Sequence, residues 1–108
     1  MNNITQNSKQ NNLISKIKQF FFTNGWDPLP YQVKSWEAFL NGENGIIQVP
    51  TGCGKTYAAL MGPLSQIEAP KNIKSVKILL ITPLKALSRD LKNSIQLAAL
   101  HFNKEITV

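Results

Sequence analysis

Cysteine is nearly absent from this chain. Cys53 is the only one in 108 residues, and a lone thiol excludes an internal disulfide and a cysteine-rich metal site. That usage suits a reducing cytoplasm. Acidic residues are also scarce, six against twelve lysines and arginines, leaving a formal charge of +6. Such an excess favours polyanionic partners, nucleic acid or nucleotide phosphates; lysines that merely keep the chain soluble are the plain alternative. No apolar run approaches the ~20 residues of a membrane-spanning helix, so no membrane partner is expected. The N-terminus has no hydrophobic stretch of the kind a secretory signal needs. Met1 to Asn12 is rich in Asn and Gln instead, and residues 1–12 read as a disordered leader. The single histidine, His101, reads as a surface or interfacial residue rather than a metal ligand or a base.

What remains is enough for one small domain, with 43% hydrophobic residues. Leu13, Ile14, Ile17, Phe20 and Phe21 recur at helical spacing and predict a helix to Thr23, stopped by Asn24-Gly25. After the turn at Asp27, Pro28 and Pro30, a second helix carries Val33, Trp36, Phe39 and Leu40 on one face and ends at Asn41-Gly42. Trp36 is read as core. The period then changes. Gly45 to Val49 is a short apolar, β-branched run, the mark of a buried parallel strand. A helix with Leu60, Met61, Leu64 and Ile67 inward follows, with a kink expected at Pro63. Val76 to Ile81 predicts a second strand. Thr82 and Pro83 then open a third helix with a stripe of Leu84, Leu87, Leu91, Ile95, Ala98 and Phe102. Ile106 to Val108 looks like the start of another strand. Helices and strands in this order predict an α/β fold with parallel crossovers, residues 13–44 forming an N-terminal helical part ahead of 45–108.

The chemistry is concentrated in Pro50-Thr51-Gly52-Cys53-Gly54-Lys55-Thr56, between the first strand and its helix. A phosphate-binding loop needs converging backbone N–H groups, a helix N-terminus behind them and a cation for the outer phosphates. Gly52 and Gly54 let the backbone close around an anion, Lys55 is the cation, and the Thr56 hydroxyl suits Mg²⁺. The spacing G-x-x-x-x-G-K-[ST] is met except at its first position, which holds Val49. Cys53 reads as a small residue that fits the loop. ATP with Mg²⁺ is the expected ligand.

Phosphate loops serve many activities, and the flanking residues choose among them. Gly25-Trp26-Asp27-Pro28-Leu29-Pro30-Tyr31-Gln32, then the loop, then Ile81-Thr82-Pro83-Leu84-Lys85-Ala86-Leu87-Ser88-Arg89-Asp90 resemble the start of a superfamily 2 DExH-box helicase. Within it they are most similar to the large helicase-related group and its DNA-ligase-associated members, over about Phe22 to Ala98. The resemblance implies a P-loop NTPase fold of the RecA-like type: a parallel sheet flanked by helices, here incomplete, with an N-terminal helical extension. It implies that Gln32 reads the adenine edge, a task an amide suits because it donates and accepts at once; a helix-surface glutamine is the plain reading. Trp26 either stacks near the base or ribose or packs inside. Thr82, Pro83, Lys85 and Arg89 match the motif that touches a bound DNA strand, with a solvated helix face as the rival for Lys85 and Arg89.

The resemblance stops before the Asp-Glu-x-His box, the Ser-Ala-Thr motif and the second motor domain with its arginine finger. Those parts stabilise the transition state of phosphoryl transfer. The expectation is therefore a chain that binds nucleotide weakly and hydrolyses it little, with a partner chain as one source of the missing motifs. Two further readings are a motor part of a restriction or remodelling complex and a catalytically inactive nucleotide- or nucleic-acid-binding fragment.

Overall fold

A computed structural model describes residues 2–50, 54–67, 77–81, 89–102 and 108. They fall in two units, Met1–Gln66 and Ile67–Val108. The first holds helices α1 (Asn2–Thr23), α2 (Pro30–Leu40) and α3 (Lys55–Ser65); the second holds α4 (Arg89–Phe102). Among the described residues no helix is long and apolar enough to cross a membrane.

The predicted helix at Leu13 to Thr23 is the second half of α1, which runs back to Asn2 through the segment expected as a leader. Part of that segment has a tertiary partner: the Gln10 side-chain amide donates to the Leu40 carbonyl at 2.8 Å. Leu40 ends α2, where carbonyls lack helical donors, so this bond satisfies one of them. Asn24-Gly25 closes α1 as expected. Gly25 takes φ 76°, Trp26 N–H reaches back to Phe21 O at 2.9 Å, and Gly25 N–H bonds Phe22 O at 3.0 Å. This is the paired Schellman arrangement. Its usual apolar clasp is present too, since Trp26 and Phe21 meet edge to face at 5.9 Å. Asn41-Gly42 ends α2 with the same two bonds, Glu43 N–H to Ala38 O and Gly42 N–H to Phe39 O.

The core of the first unit lies between these three helices. Ile14, Ile17, Phe20 and Phe21 from α1, Trp36 and Leu40 from α2, and Ala58, Leu60, Met61 and Leu64 from α3 are buried. Trp36 is fully enclosed, as its place on the apolar face predicted. Removing so large a side chain costs about 3–5 kcal/mol in a packed interior. Pro63 lies inside α3, and the helix ends two residues later at Ser65, ahead of the predicted Ile67.

The predicted strands are not formed among the described residues. Residues 43–50 and 77–81 carry no strand pairing, and Ile46 and Ile81 are 87% and 85% exposed. A strand exists only through a partner's ladder and a covering layer. An apolar, β-branched run specifies the capacity for that pairing and cannot supply the partner. Val76 of the predicted second strand and Ile106 and Thr107 of the predicted third lie outside the described residues. So does the expected start of the last helix at Thr82 and Pro83. In α4, Ala98 is buried as its stripe predicted, with Ala99 beside it, while Leu97 and Leu100 are exposed.

Candidate functional site

The last residue of the phosphate-loop motif's glycine pair sets the start of α3. Gly54 stands at the N-cap with φ 77° and ψ 30°, a left-handed conformation that costs an L side chain free energy. Lys55 is the first helical residue and is exposed; Thr56 is half-buried. The opening turn of a helix presents N–H groups to an anion and carries the positive end of the helix dipole. A lysine ammonium at that point adds a full charge. Thr51, Gly52 and Cys53 lie outside the described residues.

Gln32, on α2, lies directly against this turn. It is only 3% exposed. Its Oε1 accepts from Leu29 N–H at 2.8 Å, which caps the start of α2. Its Nε2 donates to the Gly54 carbonyl at 3.1 Å. That carbonyl also accepts from Ala58 N–H at 3.1 Å, so both lone pairs are in use. A Cβ placed on Gly54 would sit 2.5 Å from Gln32 Nε2, and the glycine is required by close approach as well as by its φ. Gln32 thus keeps one amide hydrogen and one lone pair beyond its two internal bonds.

One turn further along α2, Trp36 Nε1–H donates to the Tyr57 carbonyl at 2.9 Å. The Tyr57 ring sits in an aromatic cluster that the sequence reading did not find. Phe20 and Phe21 meet it edge to face at 5.6 and 5.8 Å, and Trp26 lies tilted against it at 5.8 Å. Phe21 also packs on Trp36 at 5.2 Å. Trp26 remains 41% exposed, with one side engaged in packing and the rest open. The signal available beforehand was the spacing of Gln32 and Trp36, four residues apart and so on one helix face.

Among the nucleic-acid candidates, Thr82, Pro83 and Lys85 lie outside the described residues, and Arg89 opens α4. His101 is half-buried with its ring against Phe102 at 5.0 Å. Among the described residues, no three His, Cys, Asp or Glu side chains come together to hold a metal.

A cation stands at the start of α3, and a buried glutamine of α2 binds the glycine before it; the exposed N–H groups and charge of such a turn can receive an anion. Comparison with known proteins gives the chain its family. The family model for DEAD/DEAH box helicase matches residues 29–107, most of the chain, and the chain belongs to that family. Helicases of that family have a RecA-like fold, use ATP and bind nucleotide and nucleic acid. Among its relatives, a Lhr helicase/probable uracil glycosylase of Mycolicibacterium smegmatis is 32% identical over 81 residues, 73% of this chain and 5% of that protein. The Lhr helicase/uracil glycosylase of Escherichia coli is 33% identical over 79 residues, 65% of this chain and 5% of its own length. The ATP-dependent RNA helicase ROK1 of Yarrowia lipolytica is 31% identical over 87 residues, 77% of this chain and 15% of its own. The chain spans about a twentieth of the Lhr relatives. No solved structure matches it.

Proposed function

We propose that this chain is the ATP-binding part of an ATP-dependent DNA helicase or translocase motor. The observation that carries the reading is Lys55 exposed at the first residue of α3, behind a left-handed Gly54 whose carbonyl Gln32 binds. Lys55 takes the outer phosphates, and Thr51, Gly52, Cys53 and Gly54 supply loop amides. The Thr56 hydroxyl reaches Mg²⁺ carried in with the nucleotide, and that ion, when bound, neutralises phosphate charge. Gln32 turns its remaining hydrogen and lone pair to the adenine edge, and the open part of Trp26 lies toward the base or ribose. The apolar runs 45–49 and 76–81 are strands of the RecA-like sheet, which form once paired and covered.

Nucleic acid is held by the motif at Thr82, Pro83, Lys85 and Arg89 through phosphate contacts, which position a strand without reading its sequence. The net charge of +6 supports this. DNA is favoured by the broader resemblance of the flanking motifs. Titration with a fluorescent ATP analogue and Mg²⁺ tests the core of the reading. Saturable binding that disappears in Lys55→Ala is expected, and no binding by the folded wild-type chain would contradict it. Matched single-stranded DNA and RNA at one salt concentration decide the nucleic acid. DNA binding that survives Lys55→Ala while ATP never binds would favour the inactive, nucleic-acid-binding reading.

A further inference from the structure

The contact between α2 and the opening turn of α3 has two rungs. Gln32 and Trp36, one turn apart on α2, donate to the carbonyls of Gly54 and Tyr57, at 3.1 and 2.9 Å. Those two acceptors bracket Lys55 and Thr56. A single rung leaves a helix start free to pivot about it; two rungs fix its rotation and its rise together. Trp36 has no solvent exposure, so its indole N–H has no water to turn to and the Tyr57 carbonyl is what satisfies it. In a helix that carbonyl also accepts from the residue four further on, so the indole bond draws on its second lone pair. On the side-chain end, Phe20, Phe21 and Trp26 pack against the half-buried Tyr57 ring. Phe20 and Phe21 belong to α1, which precedes the stretch matched to the family.

We infer that Trp36 is a positioning residue for the phosphate loop: its indole N–H, acting through the Tyr57 carbonyl, holds Lys55 and Thr56 where the phosphates are received. The inference rests on the nucleotide site proposed above. A residue that only fills the core would act through its ring volume. A positioning residue acts through its N–H.

The test removes the N–H in the full chain, first by replacement of Trp36 with benzothienylalanine, which matches the indole in shape and lacks the donor, and second as Trp36→Phe, which removes the donor together with part of the ring volume. The first readout is amide hydrogen exchange at Ala58 to Met61, whose helical acceptors are the carbonyls of Gly54 to Tyr57. These amides are expected to exchange about fivefold faster, the effect of one net hydrogen bond, with Leu13 to Thr23 unchanged. The second is affinity for the fluorescent ATP analogue with Mg²⁺, expected to fall by about the same factor. Unchanged exchange at Ala58 to Met61, or acceleration spread equally into α1, would overturn the inference. If Trp36→Phe fails to fold, the benzothienyl variant decides. If the wild-type chain binds no analogue, the nucleotide reading fails by itself, and the exchange data still decide whether the indole N–H holds the turn.

Discussion

The amide of Gln32 joins two points far apart in the sequence: it donates to the Gly54 carbonyl at 3.1 Å, across 22 residues, while its oxygen accepts from Leu29 N–H. The start of α2 and the start of α3 are thereby set by one buried side chain. The glutamine proposed to meet adenine is thus also a strut against the first turn of α3, and the proposed duty would use the second hydrogen of Nε2 and the second lone pair of Oε1.

Those duties separate experimentally. Gln32→Ala leaves the Gly54 carbonyl with one partner and uncaps Leu29 N–H. We expect about fivefold weaker binding of ATP and of GTP through the strut, the effect of one hydrogen bond, and loss of any preference for ATP through the base edge. Competition of each nucleotide against the fluorescent analogue measures both. Unchanged ATP affinity would remove Gln32 from the site altogether.

Gly54→Ala meets two obstacles at once. Its φ of 77° strains any residue with a Cβ, and that Cβ would lie 2.5 Å from Gln32 Nε2. The side-chain end is flexible in principle, but here two hydrogen bonds and near-complete burial hold it. The expected loss of stability is about 1–3 kcal/mol, read as a lower denaturant midpoint, together with loss of ATP binding. Gly25→Ala has the same positive φ and nothing within 4 Å of its Cβ, so it should lose stability and retain binding. Equal effects of both variants on ATP binding would argue against a specific role for Gly54.

Much of the helical unit was legible in the sequence because its signals are local. Asn24-Gly25 and Asn41-Gly42 end their helices by backbone geometry that glycine alone adopts freely, and Trp36 lies on the apolar face its period assigned. The motif Gly54-Lys55-Thr56 marked the helix start on which the site rests. Pairings over long sequence separations were not legible. Nothing local says that Gln10 will find the Leu40 carbonyl, or that Phe20, Phe21, Trp26 and Tyr57 will converge. Gln32 was readable as a polar helix residue with a functional resemblance, yet its near-total burial depends on α3 being beside it. The apolar runs at 45–49 and 76–81 were read from a pattern that strands share, whereas pairing is a property of neighbours.

The central claim is that Gly54 to Thr56 receive phosphates, and competition by ATP and AMP against the bound fluorescent analogue, both with Mg²⁺, tests it most directly. The two ligands share base and ribose and differ in the phosphates that Lys55 would meet. The account predicts that ATP displaces the analogue at least tenfold more effectively than AMP, a difference of about 1.4 kcal/mol, and that Lys55→Ala removes most of that advantage. Equal displacement by ATP and AMP, or an ATP advantage that persists without Lys55, would contradict it.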